Sequence, residues 1–153
     1  MPIRTIRTDG DEILRKISKP VKEITPRLAE LIDDMINDLH EYNGVGLAAV
    51  QVGVLRRICI ICIDPEDLDM DSIPQELKDS GYDLHTNGED IVIINPEWSA
   101  DTEETQCGSE GCLSFPGKFG KVTRPMFVTL KAMDRNLEPF EIKAAGLLAR
   151  AIC

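Results

Sequence analysis

The chain has 153 residues, 42% hydrophobic and 29% charged, a size and mix suited to one domain with a sizeable core. A formal charge of −10 argues against a general nucleic-acid binder, which would carry a basic stripe. No apolar run approaches the ~20 residues of a membrane span, and no apolar signal core opens the chain, so the expected setting is the cytoplasm, with no direct nucleic acid and no membrane.

The first regular element is a helix over 25–43. Leu28, Leu31, Ile32, Met35, Ile36 and Leu39 recur at helical spacing and form a single apolar stripe. Thr25 suits the N-cap, Pro26 the first helical position, and Gly44 a C-terminal stop. His40 lies off the stripe and reads as a solvated surface residue. Extended patterns follow: a continuous β-branched and Cys run at 58–63, a second run at 91–94 ending at Asn95-Pro96, and alternation at 127–133. A return strand at 140–144 follows a turn at 135–138. Strands dominate the middle and helices the ends, which predicts an α+β fold with the first helix packed on antiparallel sheets.

Between the first two strand runs, residues 64–90 hold ten acids against Lys78 alone. Pro65, Pro74, Gly81 and Gly88 interrupt them, so the segment reads as a solvated acidic loop insertion with a short helical turn near 74–78. It is either a mobile surface loop or a substrate or partner contact. At the other end, 147–153 begins a helix of about two turns with no closing cap and apolar final residues, short of the ~12 residues a free-standing helix needs. Something is expected to cover this end.

Five cysteines, an odd number, do not form a disulfide framework. Cys59-Ile60-Ile61-Cys62 spells CxxC, but residues i and i+3 of a strand point to opposite faces, so redox pairing is not expected. Cys112 is different. A lone Cys in a β-rich protein is ordinarily a small buried hydrophobe. Here it lies in Glu110-Gly111-Cys112-Leu113-Ser114, and an earlier Gly-rich stretch, Gly44-Val45-Gly46-Leu47-Ala48-Ala49-Val50-Gln51, ends in an amide. An acid, glycines, a thiol and an amide can build a compact polar site around a metal.

These two segments, in this order, resemble the first two signature motifs of peptide deformylases, metal hydrolases that remove formyl groups from new bacterial proteins. The resemblance runs from Ile13-Leu14-Arg15-Lys16 to Ile152 and treats 1–153 as one domain. It implies Cys112 as a thiolate metal ligand, and Gln51 and the Leu113 N–H as donors to the oxyanion. Val45, Gly46, Gly111, Leu147 and Ala151 would bind substrate, and a Glu110–Arg124 ion pair would support the loop. Val50 stands where the family usually has Pro, and Cys153 where it usually has Gln.

The family's His-Glu-x-x-His helix, which supplies two metal ligands and the general base, should follow Ile152 and is not in this sequence. The chain is therefore expected to be truncated, with tight metal binding and turnover not expected of the 153 residues alone. The implied cofactor is a divalent metal, Fe2+ with Zn2+ or Ni2+ as substitutes. The implied partners are N-formyl-Met peptides of nascent chains near the ribosome, and a second copy docked through an exposed apolar face around Leu148 and Ile152. The alternative reading is a catalytically inactive fragment that binds an extended peptide along Val45 and Gly111 by strand addition.

Overall fold

A computed structural model describes residues 3–153. The first helix, α1, runs Pro26–Glu41. Thr25 stays extended and its hydroxyl accepts from the Leu28 amide at 3.2 Å, with Pro26 opening the first turn. The helix stops at Glu41 rather than 43. Asn43, not Gly44, takes the left-handed turn (φ 52°), and the Gly44 amide closes on the Leu39 carbonyl at 3.0 Å.

In chain order the strands are β1 Gly46–Ala48, β2 Ile58–Ile61, β3 Ile91–Ala100, β4 Thr105–Cys112, β5 Phe115–Pro125, β6 Phe127–Met133 and β7 Pro139–Ala145. Five of them form one sheet in the order β1-β2-β3-β6-β7, antiparallel at each pairing, and β4 and β5 form a separate two-stranded ribbon. Helix α2 (Gln75–Lys78) interrupts the acidic segment, and α3 (Gly146–Ile152) follows β7.

The continuous apolar runs are explained by burial on both sheet faces. Ile58, Ile60 and Ile94 pack with Leu31, Ile32, Met35 and Leu39 of α1, while Ile61, Ile63 and Ile93 pack with Val128, Leu130 and Leu148. Cys62 belongs with the first group and Cys59 with the second, so the two thiols diverge across the sheet.

Three expectations need correction. The second run does not end at Asn95-Pro96; β3 continues to Ala100. Asn95 adopts φ 52°, and its side-chain amide accepts from the Val21 N–H and donates to the Val21 carbonyl, each at 2.8 Å. The register shifts there, and a bulge is a place where a strand admits Pro.

The acidic segment 64–90 carries the helical turn expected near 74–78 as α2, and around it is more ordered than a bare loop. Short 3-10 turns at Pro65–Asp67 and Met70–Ser72 precede α2. The Thr86 hydroxyl accepts from the Ile63 amide at 3.0 Å, and the Asp83 amide donates to the Lys143 carbonyl at 2.8 Å.

The apolar face expected to lie open around Leu148 and Ile152 is largely taken up. Leu148 is 2% exposed against the sheet, and Leu147, Ala151 and Ile152 are half-buried. The turn into α3 is made by Gly146 at φ 63°, a conformation that side-chain-bearing residues rarely adopt.

Candidate active site

Gln51 sits in a 3-10 turn, Ala49–Val52, immediately after β1. Its Oε1 accepts from the Ala48 amide at 3.0 Å, which orients the amide group. Nε2 is left to reach across the cleft, 3.2 Å from Ser114 Oγ and 3.7 Å from Cys112 Sγ. Residues sixty-one apart in sequence thus face each other with their polar atoms nearly in contact.

Cys112 is the last residue of β4 and is exposed. The register slips between Gly111 and Cys112, so Cys112 pairs with Phe115 and Leu113-Ser114 form the tight turn between strands. That turn is fixed from below: Ser114 is 2% exposed and its carbonyl accepts from the Asp9 amide at 2.8 Å. The exposed Phe119 ring lies over Gly111, where a Cβ would stand 2.6 Å from it, so a side chain at 111 would displace the ring. A Cβ at Gly44 would stand 3.4 Å from the Leu113 side chain, so the end of α1 closes directly on the Cys112 loop.

The structure places Val45, Gly46, Gln51, Gly111, Cys112, Leu147 and Ala151 on the walls of one cleft of about 550 Å³. Leu113 lines an adjoining cleft of about 450 Å³ whose walls also include Val45, Gln51 and Cys112. Glu110 and Arg124 pair two-pronged, Nη2 to Oε1 at 2.7 Å and Nε to Oε2 at 2.9 Å. This hydrogen bonding to Arg124, with the added charge of Arg150, holds the Glu110 carboxyl below the usual range.

Arg150 is the residue that sequence reasoning missed. It reaches from α3 to Glu110 Oε2 at 2.7 Å and to the Gly108 carbonyl at 2.9 Å. One carboxylate therefore ties α3 to the β4–β5 ribbon. No local pattern announced it, because its partners are forty residues away and the contact depends on how the ribbon folds back.

Cys59 lines the same cleft, but burial pushes its thiol up to about 12, and burial likewise raises that of Cys153. Of the two histidines, His85 Nδ1 accepts from the Asn87 amide. His40, expected to be a solvated surface residue, is exposed, and it pairs there with Asp90, Nε2 to Oδ1 at 2.7 Å. Among the described residues, one grouping brings three potential metal ligands within 4.8 Å of each other: His40, Cys62 and Asp90. It does not include Cys112.

Comparison with known proteins gives a consistent family. The family model described as polypeptide deformylase matches residues 3–153. The chain is 46% identical to a peptide deformylase of Lachnoclostridium phytofermentans over 153 residues, all of this chain and 81% of that protein. It is 43% identical to one from Agathobacter rectalis, again over its whole length and 82% of the relative. Among solved structures, peptide deformylase from Ehrlichia chaffeensis superimposes with a TM-score of 0.84 at 37% identity, covering 98% of this chain and 79% of that one. The same protein in complex with actinonin gives a TM-score of 0.83 at 36% identity.

Proposed function

The chain belongs to the polypeptide deformylase family, and from that premise we propose how its cleft handles the formyl group of N-formyl-methionyl peptides. Deformylases are hydrolases of protein biosynthesis, and the family implies a divalent metal ion. Cys112 offers one exposed thiol to the cleft, yet no further pair of His, Cys, Asp or Glu ligand atoms gathers with it among the described residues. A catalytic centre of this kind needs about three protein ligands. The residues present do not fit a complete centre, so the roles below are those of protein groups alone. Fe2+ is the proposed native metal, with Zn2+ or Ni2+ as substitutes; a thiolate ligand is compatible with each.

When the formyl carbon is attacked, its oxygen becomes negative and needs donors already aimed at it. The observation that carries the assignment is the Gln51 amide, oriented by Ala48 and 3.7 Å from Cys112 Sγ. Gln51 Nε2 and the Leu113 N–H are the two donors. A neutral amide suits the task, because it stabilises the oxyanion without adding a charge beside the ligand thiol.

The substrate chain has an edge to join. Among the described residues β1 pairs with β2 on one side only, so an extended peptide can add beside Gly46 and lie across from Gly111, close to backbone on both walls. Val45, Leu147 and Ala151 supply the apolar lining for the methionine side chain. Glu110, held by Arg124 and Arg150, steadies the Cys112 loop rather than touching substrate. N-formyl termini arise as chains leave the ribosome, and we place the encounter there.

The test is steady-state kinetics on an N-formyl-Met peptide of these residues continued by the family's His-Glu-x-x-His helix and loaded with metal, because the 153 residues alone do not supply a complete centre. Gln51→Leu should lower kcat by roughly 10²–10³-fold with KM little changed, the signature of a contact made in the transition state. Gln51→Glu keeps the acceptor for Ala48 but sets a carboxylate against the oxyanion, and should lose at least as much. A Gln51→Leu enzyme within twofold of wild type would remove Gln51 from the reaction.

A further inference from the structure

His40, Cys62 and Asp90 come from the last turn of α1, the residue after β2 and the residue before β3. Their ligand atoms lie within 4.8 Å of one another although the chain separates His40 from Asp90 by fifty residues. We propose that His40 Nε2, Cys62 Sγ and an Asp90 carboxylate oxygen form a Zn2+ site distinct from the catalytic cleft.

The donor set selects the cation. One imidazole nitrogen, one sulfur and one carboxylate suit a borderline-soft ion, whereas Ca2+ and Mg2+ take oxygen ligands almost exclusively. The spacing agrees. Zn–N and Zn–O bonds of about 2.0–2.1 Å and a Zn–S bond of about 2.3 Å set tetrahedral ligand atoms roughly 3.3–3.6 Å apart. His40 and Asp90 now touch at 2.7 Å, and their side chains are 54% and 29% exposed, free to part by the fraction of an ångström required. The ligand forms are the neutral imidazole, bound through Nε2 with its N–H on Nδ1, and the thiolate, whose proton leaves to solvent, and three protein ligands leave a fourth position for water.

The surroundings favour a cation. Asp64 and Asp67 line the same small cleft of about 250 Å³ as His40 and Cys62. The site also touches the catalytic wall, since the Cys62 amide donates to the Val45 carbonyl at 2.9 Å.

The experiment is Zn2+ titration of the full chain against a chromophoric chelator, with metal content per chain measured after dialysis. Expected is one zinc equivalent whose affinity falls roughly tenfold or more in Cys62→Ser, His40→Gln and Asp90→Asn, and which Cys112→Ser leaves in place. Co2+ in the same site should give a thiolate-to-metal absorption band that disappears in Cys62→Ser and survives in Cys112→Ser. His40 is largely exposed, so His40→Gln should keep the wild-type circular dichroism spectrum and stands even where Cys62→Ser folds poorly. Zinc uptake indifferent to His40→Gln, or abolished by Cys112→Ser alone, would show that His40 and Asp90 are an ion pair only and overturn the site.

Discussion

Cys59 and Cys112 reach the walls of the same cleft, but Cys112 is exposed and Cys59 is not. Cys59 is packed into the sheet, with its thiol pushed up to about 12, so no thiolate competes from that side. Cys107 and Cys112 are exposed. A brief pulse of iodoacetamide at neutral pH, read by peptide mass spectrometry, should label Cys107 and Cys112 well before Cys59. Equal labelling of Cys59 would mean that the sheet opens there. A different residue sets the N-terminal segment. Asp38 is fully buried on α1, and its carboxylate accepts from the Ile3 and Arg4 amides at 2.6 and 2.9 Å. Asp38→Ala strands both donors, and chemical denaturation should register a loss of about 2–4 kcal/mol. A change within experimental error would show that water replaces the carboxylate without cost.

At the level of elements, the contact that organises the site is Glu110 between Arg124 of β5 and Arg150 of α3. Its pKa is lowered in the folded state, chiefly by the Arg124 hydrogen bonds, so its contribution to stability is complete above the ordinary glutamate value. That contribution is lost as pH falls through the lowered folded value. Melting curves of wild type and Glu110→Gln from pH 7 to pH 3 should show the variant less stable at neutrality and the gap closing in acid. A gap that is independent of pH would assign the loss to shape rather than charge. Helix α1 was legible because cap, proline and apolar stripe agree locally. The β4–β5 ribbon was not: most of its residues face solvent on both sides, so there is no buried stripe for alternation to reveal. The proximity of Gln51 to Cys112 and the Glu110–Arg124 pair were foreseeable only through the resemblance of two short motifs to a known family. Arg150 and the His40–Cys62–Asp90 grouping exist only after distant segments meet.

On the scale of the whole molecule, one antiparallel sheet separates two apolar layers, α1 on one face and α3 with the remaining core on the other. The cleft forms where the free edge of β1, the tip of the β4–β5 ribbon and α3 converge. In the proposed reading this architecture provides a peptide edge, an apolar pocket, oriented donors and one thiol ligand; among the described residues no second and third ligand gather beside Cys112. That division is the central claim, and it is tested by turnover of N-formyl-Met peptide in the presence of added Fe2+ or Ni2+. A polypeptide of these 153 residues, its intact mass verified, should show no metal-dependent deformylation, whereas the same polypeptide continued by a His-Glu-x-x-His helix should turn over substrate. Substantial turnover by the 153-residue polypeptide alone would contradict the account.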